Sequence, residues 1–522
     1  MKKRIYLILL LLPLVSCNDM FKNFLNEEPE TLVTNTNFWK TEKDVESAVY
    51  ELHVMFRSWG GYVETRLYRD RGLPFDYLGL TWRNISDNEL QKDMDITRTP
   101  SWHGEYQAIG MCNFILGNIH RAKIPEERIN YYKGQALTIR AYLYFYVLRT
   151  WGDAVLITAE GDVGEKAVTP WREIMKVVID DLVEATKLLP PVNEMKDANN
   201  TPVTSKQIPS RGTAFAILAH AYAWLAGFGE EPEYYQKGID AATEVIQSGD
   251  YSLVNNPHEI CEIVLPGNSQ EGILEIDFLN PEAVNRSGSG LPGVTQKWPA
   301  DPNATPSTRR TLLRLNNESA MAMFPDRNDK RREEYFYKLD SMAGVKTSIT
   351  QGAAYIYKFR RPLLHPSSSQ LGKLLGYDLN EILIRLADIY LLRAEMRAKS
   401  GDIPGAIADL NVIRKRAGAK EYTPDENLEE AIALERDKEL FLEGICTRYL
   451  DIVRNRAFRE KLRGKFKTLS AQDVKDGALF FPISFDAFQK DRKEHTSELQ
   501  SLTNLVCRLL LEKKKTPTST IH

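Results

Sequence analysis

Apolar side chains recur every three and four residues along much of this chain, and that period demands helices packed side by side. Between 379 and 417, Leu386, Ile389, Leu410 and Ile413 supply an apolar seam. Ala394, Gly401 and Ala406 place small groups where two antiparallel helices must touch, and Gly401-Asp402 makes the turn between them. Earlier stretches repeat the pattern. Thr41 to Arg57 opens with Thr41 three residues before Asp44, an N-cap arrangement. Gly104 to Ala122 and Glu126 to Thr150 form a pair broken at Pro125, and the run from Ala136 to Phe145 is apolar on most faces, so it should lie deep. Pro170 to Leu189 starts with proline in its first turn. Ser210 to Phe228 is alanine-rich, Tyr234 to Ser248 follows, and Leu428 to Arg454 gives another long helix. A single amphipathic hairpin cannot bury its own stripe, whereas stacked hairpins can.

The expected fold is therefore mainly α, a helix-pair scaffold over 41–57, 104–250 and 376–456. Two long insertions interrupt it, at 58–103 and 252–376. The second is rich in Gly, Pro, Asn and Ser and holds short β-like runs at 272–278 and 353–359; the first has little helical period but many aromatics. Long irregular segments on a rigid frame are where binding residues concentrate.

Lys2, Lys3 and Arg4 precede an apolar run from Ile5 to Val15. A bilayer needs ~20 such residues, so this reads as a secretory signal rather than a membrane span. Cys17 stands where cleavage should fall, an arrangement that resembles a bacterial lipobox in which the cysteine is lipidated. Ser16 departs mildly from the commoner Gly or Ala. The other cysteines, Cys112, Cys261, Cys446 and Cys507, are dispersed, which argues against disulfide stapling and thiolate metal sites. With 68 basic and 71 acidic residues the formal charge is −3, so nothing favours nucleic acid.

Tests for catalytic chemistry fail or stay weak. Gly288-Ser289-Gly290-Leu291-Pro292-Gly293 fits GxGxxG, but no strand leads straight into it and Pro292 interrupts it. Asp93 and Asp95 lack the glycine and distal Glu of a calcium loop. A glycosidase needs two carboxylates flanking the scissile bond, and no motif marks such a pair. No cofactor and no metal are expected. Sugar binding without chemistry needs flat aromatic faces and planar hydrogen-bonding groups. Trp82 and Trp298 are the leading candidates because their surroundings are polar and irregular, with Arg83 and Asn84 as hydroxyl partners and Tyr68 and Tyr77 beside them. Trp39, Tyr142, Tyr144 and Trp224 sit inside apolar helical periods and read as packing.

The spacing of Ala394, Gly401 and Ala406 is similar to that of the small residues of a tetratricopeptide repeat (TPR). More specifically, the order of several motifs resembles the SusD/RagB lipoproteins. These are Leu25-Asn26-Glu27-Glu28-Pro29, Phe38-Trp39-Lys40-Thr41-Glu42, and Gly134-Gln135-Ala136 running on through Arg140 to Trp151-Gly152-Asp153. Pro209 to Ala214, Arg385 to Glu395 and Glu435 to Gly444 continue the likeness. The resemblance implies one SusD-like domain over 18–490, without catalytic machinery, anchored in the outer membrane by lipid and facing outward. It also implies an oligosaccharide ligand and a SusC-like TonB-dependent transporter as partner. A peptide-binding lid on the same transporter, an envelope TPR scaffold and a carbohydrate-active hydrolase are the competing readings. From about 491 to 522 the chain departs from the family pattern and resembles translated adapter sequence, so it is expected to be a spurious or disordered tail.

Overall fold

The computed structural model describes residues 38–60, 75–77, 99–278, 298–305, 313–343 and 353–485, apart from 163, 165, 367–368, 445–446 and 463. Within them the chain is mostly helical. The first six long helices are α1 (Glu42–Gly60), α2 (His103–Asn118), α3 (Glu126–Trp151), α4 (Trp171–Leu188), α5 (Arg211–Gly227) and α6 (Tyr234–Gln247). After the second insertion come α7 (Leu386–Ser400), α8 (Ile403–Ala417), α9 (Leu428–Glu439) and α10 (Thr447–Arg454). Each of α1 to α8 packs on the next, so the helices form one continuous stack. The stack is not broken where the insertion departs: α6 packs directly on α7 although about 140 residues separate them.

Local chemistry explains the boundaries. Ser210 and Thr213 form a reciprocal capping box at the start of α5. Asp402 accepts from the backbone N–H of Gly405 to start α8, and Asn427 does the same for Glu430 in α9. Gly401, at φ +90°, ends α7 in the left-handed conformation that a side chain would resist. Ala394 and Ala406 are fully buried where α7 meets α8. The deep helix is α3, whose residues from Gly134 to Leu148 are all buried. Its Arg140 forms a two-pronged pair with Asp181 of α4 at 2.8 and 2.7 Å. Trp39, Tyr142, Tyr144 and Trp224 are buried, as the helical period requires.

The insertion returns to the stack through a ribbon of β2 (Gly272–Ile276) and β7 (Glu381–Arg385), paired antiparallel from Gly272↔Arg385 to Ile276↔Glu381. Ile273, Leu274, Leu383 and Ile384 join the scaffold core. Ile382 instead joins a second core with Leu315, Phe324, Tyr335, Phe336, Ile356 and Phe359. Three short strands, β1 (Phe75–Tyr77), β3 (Leu313–Asn316) and β4 (Ala353–Ala354), make a separate sheet in the order β1–β3–β4. A hairpin of β5 (Pro362–Leu364) and β6 (Leu374–Tyr377) pairs with no further strand among the described residues.

A wholly buried ionic network joins insertion to scaffold. Arg385, the last residue of β7, reaches Glu443 at 2.5 Å, Glu271 at 2.6 Å and Glu439 at 2.7 Å. Arg331 from the insertion meets Asp329 at 2.8 Å, Glu435 at 2.5 Å and Glu439 at 3.0 Å. Arg416, at the end of α8, holds Glu271 and Glu439, and Lys358 holds Glu443. Lys438 bridges Asp329 and Glu435, so cations and carboxylates match in number. Burial opposes the charge on Glu435, Glu439 and Glu443, but their cationic neighbours outweigh it and hold all three carboxyls below the usual range.

Removing one partner strands charge in the interior. Arg385→Met should cost about 3–5 kcal/mol at neutral pH. Because the carboxyl pKa values are depressed in the folded state, the network stabilises above the unfolded value of ~4.3 and is lost as pH falls through the folded values. Urea unfolding across pH should therefore show the gap between wild type and variant narrowing below about pH 4. A constant gap, or none, would refute the assignment.

Candidate functional site

Sequence places Tyr335-Phe336-Tyr337 and Tyr355-Ile356-Tyr357 twenty residues apart, and the fold pairs them. Phe336 and Ile356 form an antiparallel bridge, with Tyr337 N–H donating to the Tyr355 carbonyl and Tyr357 N–H to the Tyr335 carbonyl, both at 2.8 Å. Phe336 and Ile356 enter the second core, while Tyr337 and Tyr357 are left half-buried. Trp298 packs on the same pair: its ring lies 4.8 Å from Tyr337 and 5.1 Å from Tyr355, nearly perpendicular to both. Such edge-to-face contacts stabilise by about 0.5–1.5 kcal/mol each beyond area burial. Tyr357 lies 6.0 Å from Tyr337 and carries the Arg360 guanidinium over its ring at 4.8 Å.

Polar groups around this cluster are unevenly served. Arg360 is fixed by Glu262 and Glu334, each at 2.6 Å. The buried hydroxyls of Tyr355 and Tyr377 have no hydrogen-bond partner among the described residues. Burial raises the pKa of both phenols, and the nearby Asp301 carboxylate adds to the effect at Tyr377. Both therefore stay protonated and able to donate. Asn303 ties the Trp298 turn to the β5–β6 hairpin: its amide donates to the Gly372 carbonyl at 3.0 Å and accepts from Leu374 N–H at 2.9 Å.

Of the residues expected from sequence, Trp298 is the one whose side chain the structure describes, and it is half-buried and packed rather than set in an open loop. Tyr77 lies in β1, whose neighbour β3 pairs with β4 just before Tyr355; the backbone thus brings both insertions into one sheet. Cys17, Tyr68, Trp82, Arg83 and Asn84 lie outside the described residues, as do the 288–293 glycine motif and Asp93 with Asp95. Tyr337, Tyr355, Tyr357 and Tyr377 were not singled out. The β-like run at 353–359 is legible, and Tyr335-Phe336-Tyr337 is strand-prone by composition, but nothing local in the sequence says that the two pair.

Other ionisable clusters serve the frame. His220 and Asp388 meet at 2.9 Å in a cleft between helices that Arg454 and Thr447 also line, and Asp388 is held in turn by Arg436 at 2.8 Å. No group of three or more metal-ligating side chains occurs among the described residues. None of the described helices is long and apolar enough to cross a membrane.

The model described as "SusD family" matches residues 306–500, and the one described as "Starch-binding associating with outer membrane" matches 23–223. This chain belongs to the SusD/RagB family, and with that membership comes an association with the outer membrane. A SusD-like protein of Formosa agariphila is 26% identical over 514 residues, 87% of this chain and 91% of its own length. A SusD-like protein of Bacteroides ovatus is 22% identical over 51% of this chain and 47% of its own. Among solved structures, a SusD homolog from Bacteroides thetaiotaomicron aligns with a TM-score of 0.69 at 22% identity, covering 86% of this chain and 96% of that one. NanU from B. fragilis aligns at 0.65 and 19%, covering 89% and 97%. These structures establish the fold.

Tyr355→Phe removes a buried hydroxyl that has no partner among the described residues, so it should leave stability unchanged or raise it by up to about 1 kcal/mol. Thermal unfolding measures this. A loss of that size would mean the hydroxyl has a partner.

Proposed function

We propose that this chain captures an extracellular oligosaccharide at the cell surface and passes it to a SusC-like TonB-dependent transporter, making and breaking no bonds. The observation that carries the reading is the aromatic cluster around Trp298. Half-buried rings offer apolar faces to the C–H side of a pyranose, and two buried phenols without a partner among the described residues would add donors as the site opens to its ligand. The family model described as starch-binding supports a carbohydrate ligand. The stacked helices act as an inert frame, and acyl chains on Cys17 hold the protein to the outer membrane with its insertions outward.

Native gels carrying soluble polysaccharides test the binding. Wild type should be retarded by at least one of them, and Trp298→Ala should weaken that retardation by about tenfold, as expected for a central aromatic anchor. A variant that migrates like wild type, or release of reducing ends by purified protein, would overturn this reading. For the anchor, Cys17→Ser should abolish incorporation of labelled palmitate and move the protein into the soluble fraction. Retained label would place lipidation elsewhere.

A further inference from the structure

Cations near the aromatic cluster are almost all neutralised. Arg332 is paired with Asp340, Arg360 with Glu262 and Glu334, Arg361 with Asp378 at 2.6 Å, and Lys358 with Glu443. Lys338 differs. It is exposed, and among the described residues no carboxylate pairs with it. Its ammonium lies 5.3 Å from the centroid of Tyr337, the ring against which Trp298 packs. One tyrosine therefore separates an unpaired cation from the indole. Lys338 also holds φ at +47°, a left-handed conformation uncommon for a long side chain. That conformation sits between Tyr337 and the short helix Leu339–Ala343.

The remaining polar groups point to the same chemistry. The Tyr355 and Tyr377 hydroxyls have no partner among the described residues and stay protonated, so they are able to donate. Asp301, the carboxylate near Tyr377, is buried and accepts from the backbone N–H of Asn303 at 2.9 Å. A site for neutral sugar needs acceptors as well as donors, because each sugar hydroxyl does both. Among the described residues, donors and the positive charge of Lys338 predominate here, which matches a ligand rich in acceptors and carrying negative charge.

We propose that this site selects anionic sugars, bearing carboxylate or sulfate, with Lys338 as the residue that recognises the charge. The proposal rests on the reading of the Trp298 cluster as a sugar platform. Lysine's compact ammonium suits either anion, and its position over Tyr337 leaves Trp298 free to stack on the ring of the same or a neighbouring sugar unit.

Affinity electrophoresis of wild type, Lys338→Gln and Trp298→Ala separates the two claims. Gels would carry polygalacturonate, its methyl ester, a sulfated galactan or soluble starch. Wild type should be retarded by an anionic polymer, more weakly as salt rises. Polygalacturonate binding assigns carboxylate and galactan binding assigns sulfate. Lys338→Gln should weaken anionic binding by about fivefold, the range of a partly exposed charge contact, with no change in melting temperature. The methyl ester, which keeps the ring and removes the charge, should lose affinity to a similar degree. Equal binding of wild type and Lys338→Gln in every gel, or no retardation by either anionic polymer, overturns charge selection. Loss of binding in Trp298→Ala in those same gels would still uphold the platform, and unchanged binding by that variant would sink the platform itself.

Discussion

Arg385 is the point on which this structure turns. It is fully buried, ends the ribbon that brings the insertion home, and begins α7. Its guanidinium gathers carboxylates from three places: Glu271 before β2, Glu439 at the end of α9, and Glu443 just beyond it. An arginine suits this place better than a lysine would, because its planar fork can meet several acceptors in fixed directions. The desolvation of so many charges is costly, and they persist because every one is matched. A network like this adds less to net stability than its contacts suggest, but losing any one partner leaves another charge buried and unpaired.

That arrangement places the aromatic cluster. Lys358 is one residue beyond Tyr357, and Arg331 lies four residues before Tyr335. Both are locked into the network. The two strands that present Tyr337, Tyr355 and Tyr357 are therefore each fastened within a few residues to the helical frame. Rings on irregular chain would pay a large ordering cost on meeting a ligand; rings held this way are largely pre-ordered.

The two layers were unequally legible in sequence. Helices α3 to α8 announce themselves through period, proline and glycine punctuation, and alanine-lined contacts, because packing one face repeats every few residues. The ionic core has no such repeat. Glu435, Glu439 and Glu443 are spaced like the solvated face of a helix, and only their place in a family-like motif set them apart. In the fold those motif residues carry the ionic network. Trp298 stood out by its polar setting, yet the tyrosines beside it depend on a pairing between strands that local pattern does not encode. The aromatic segment at 61–74 and 78–98 lies outside the described residues, so Tyr68, Trp82, Arg83 and Asn84 remain proposals from sequence alone.

The direct packing of α6 on α7 makes the intervening 248–385 a closed excursion whose two ends meet. A lineage could exchange the outer part of that excursion for another without disturbing the helical spine. The freedom has a boundary. Any replacement must bring a carboxylate to the place of Glu271 and cations to the places of Arg331 and Lys358, or the spine's own charges are left without counterparts. Variation in such proteins should thus gather at the rim of the excursion and stop abruptly at its root.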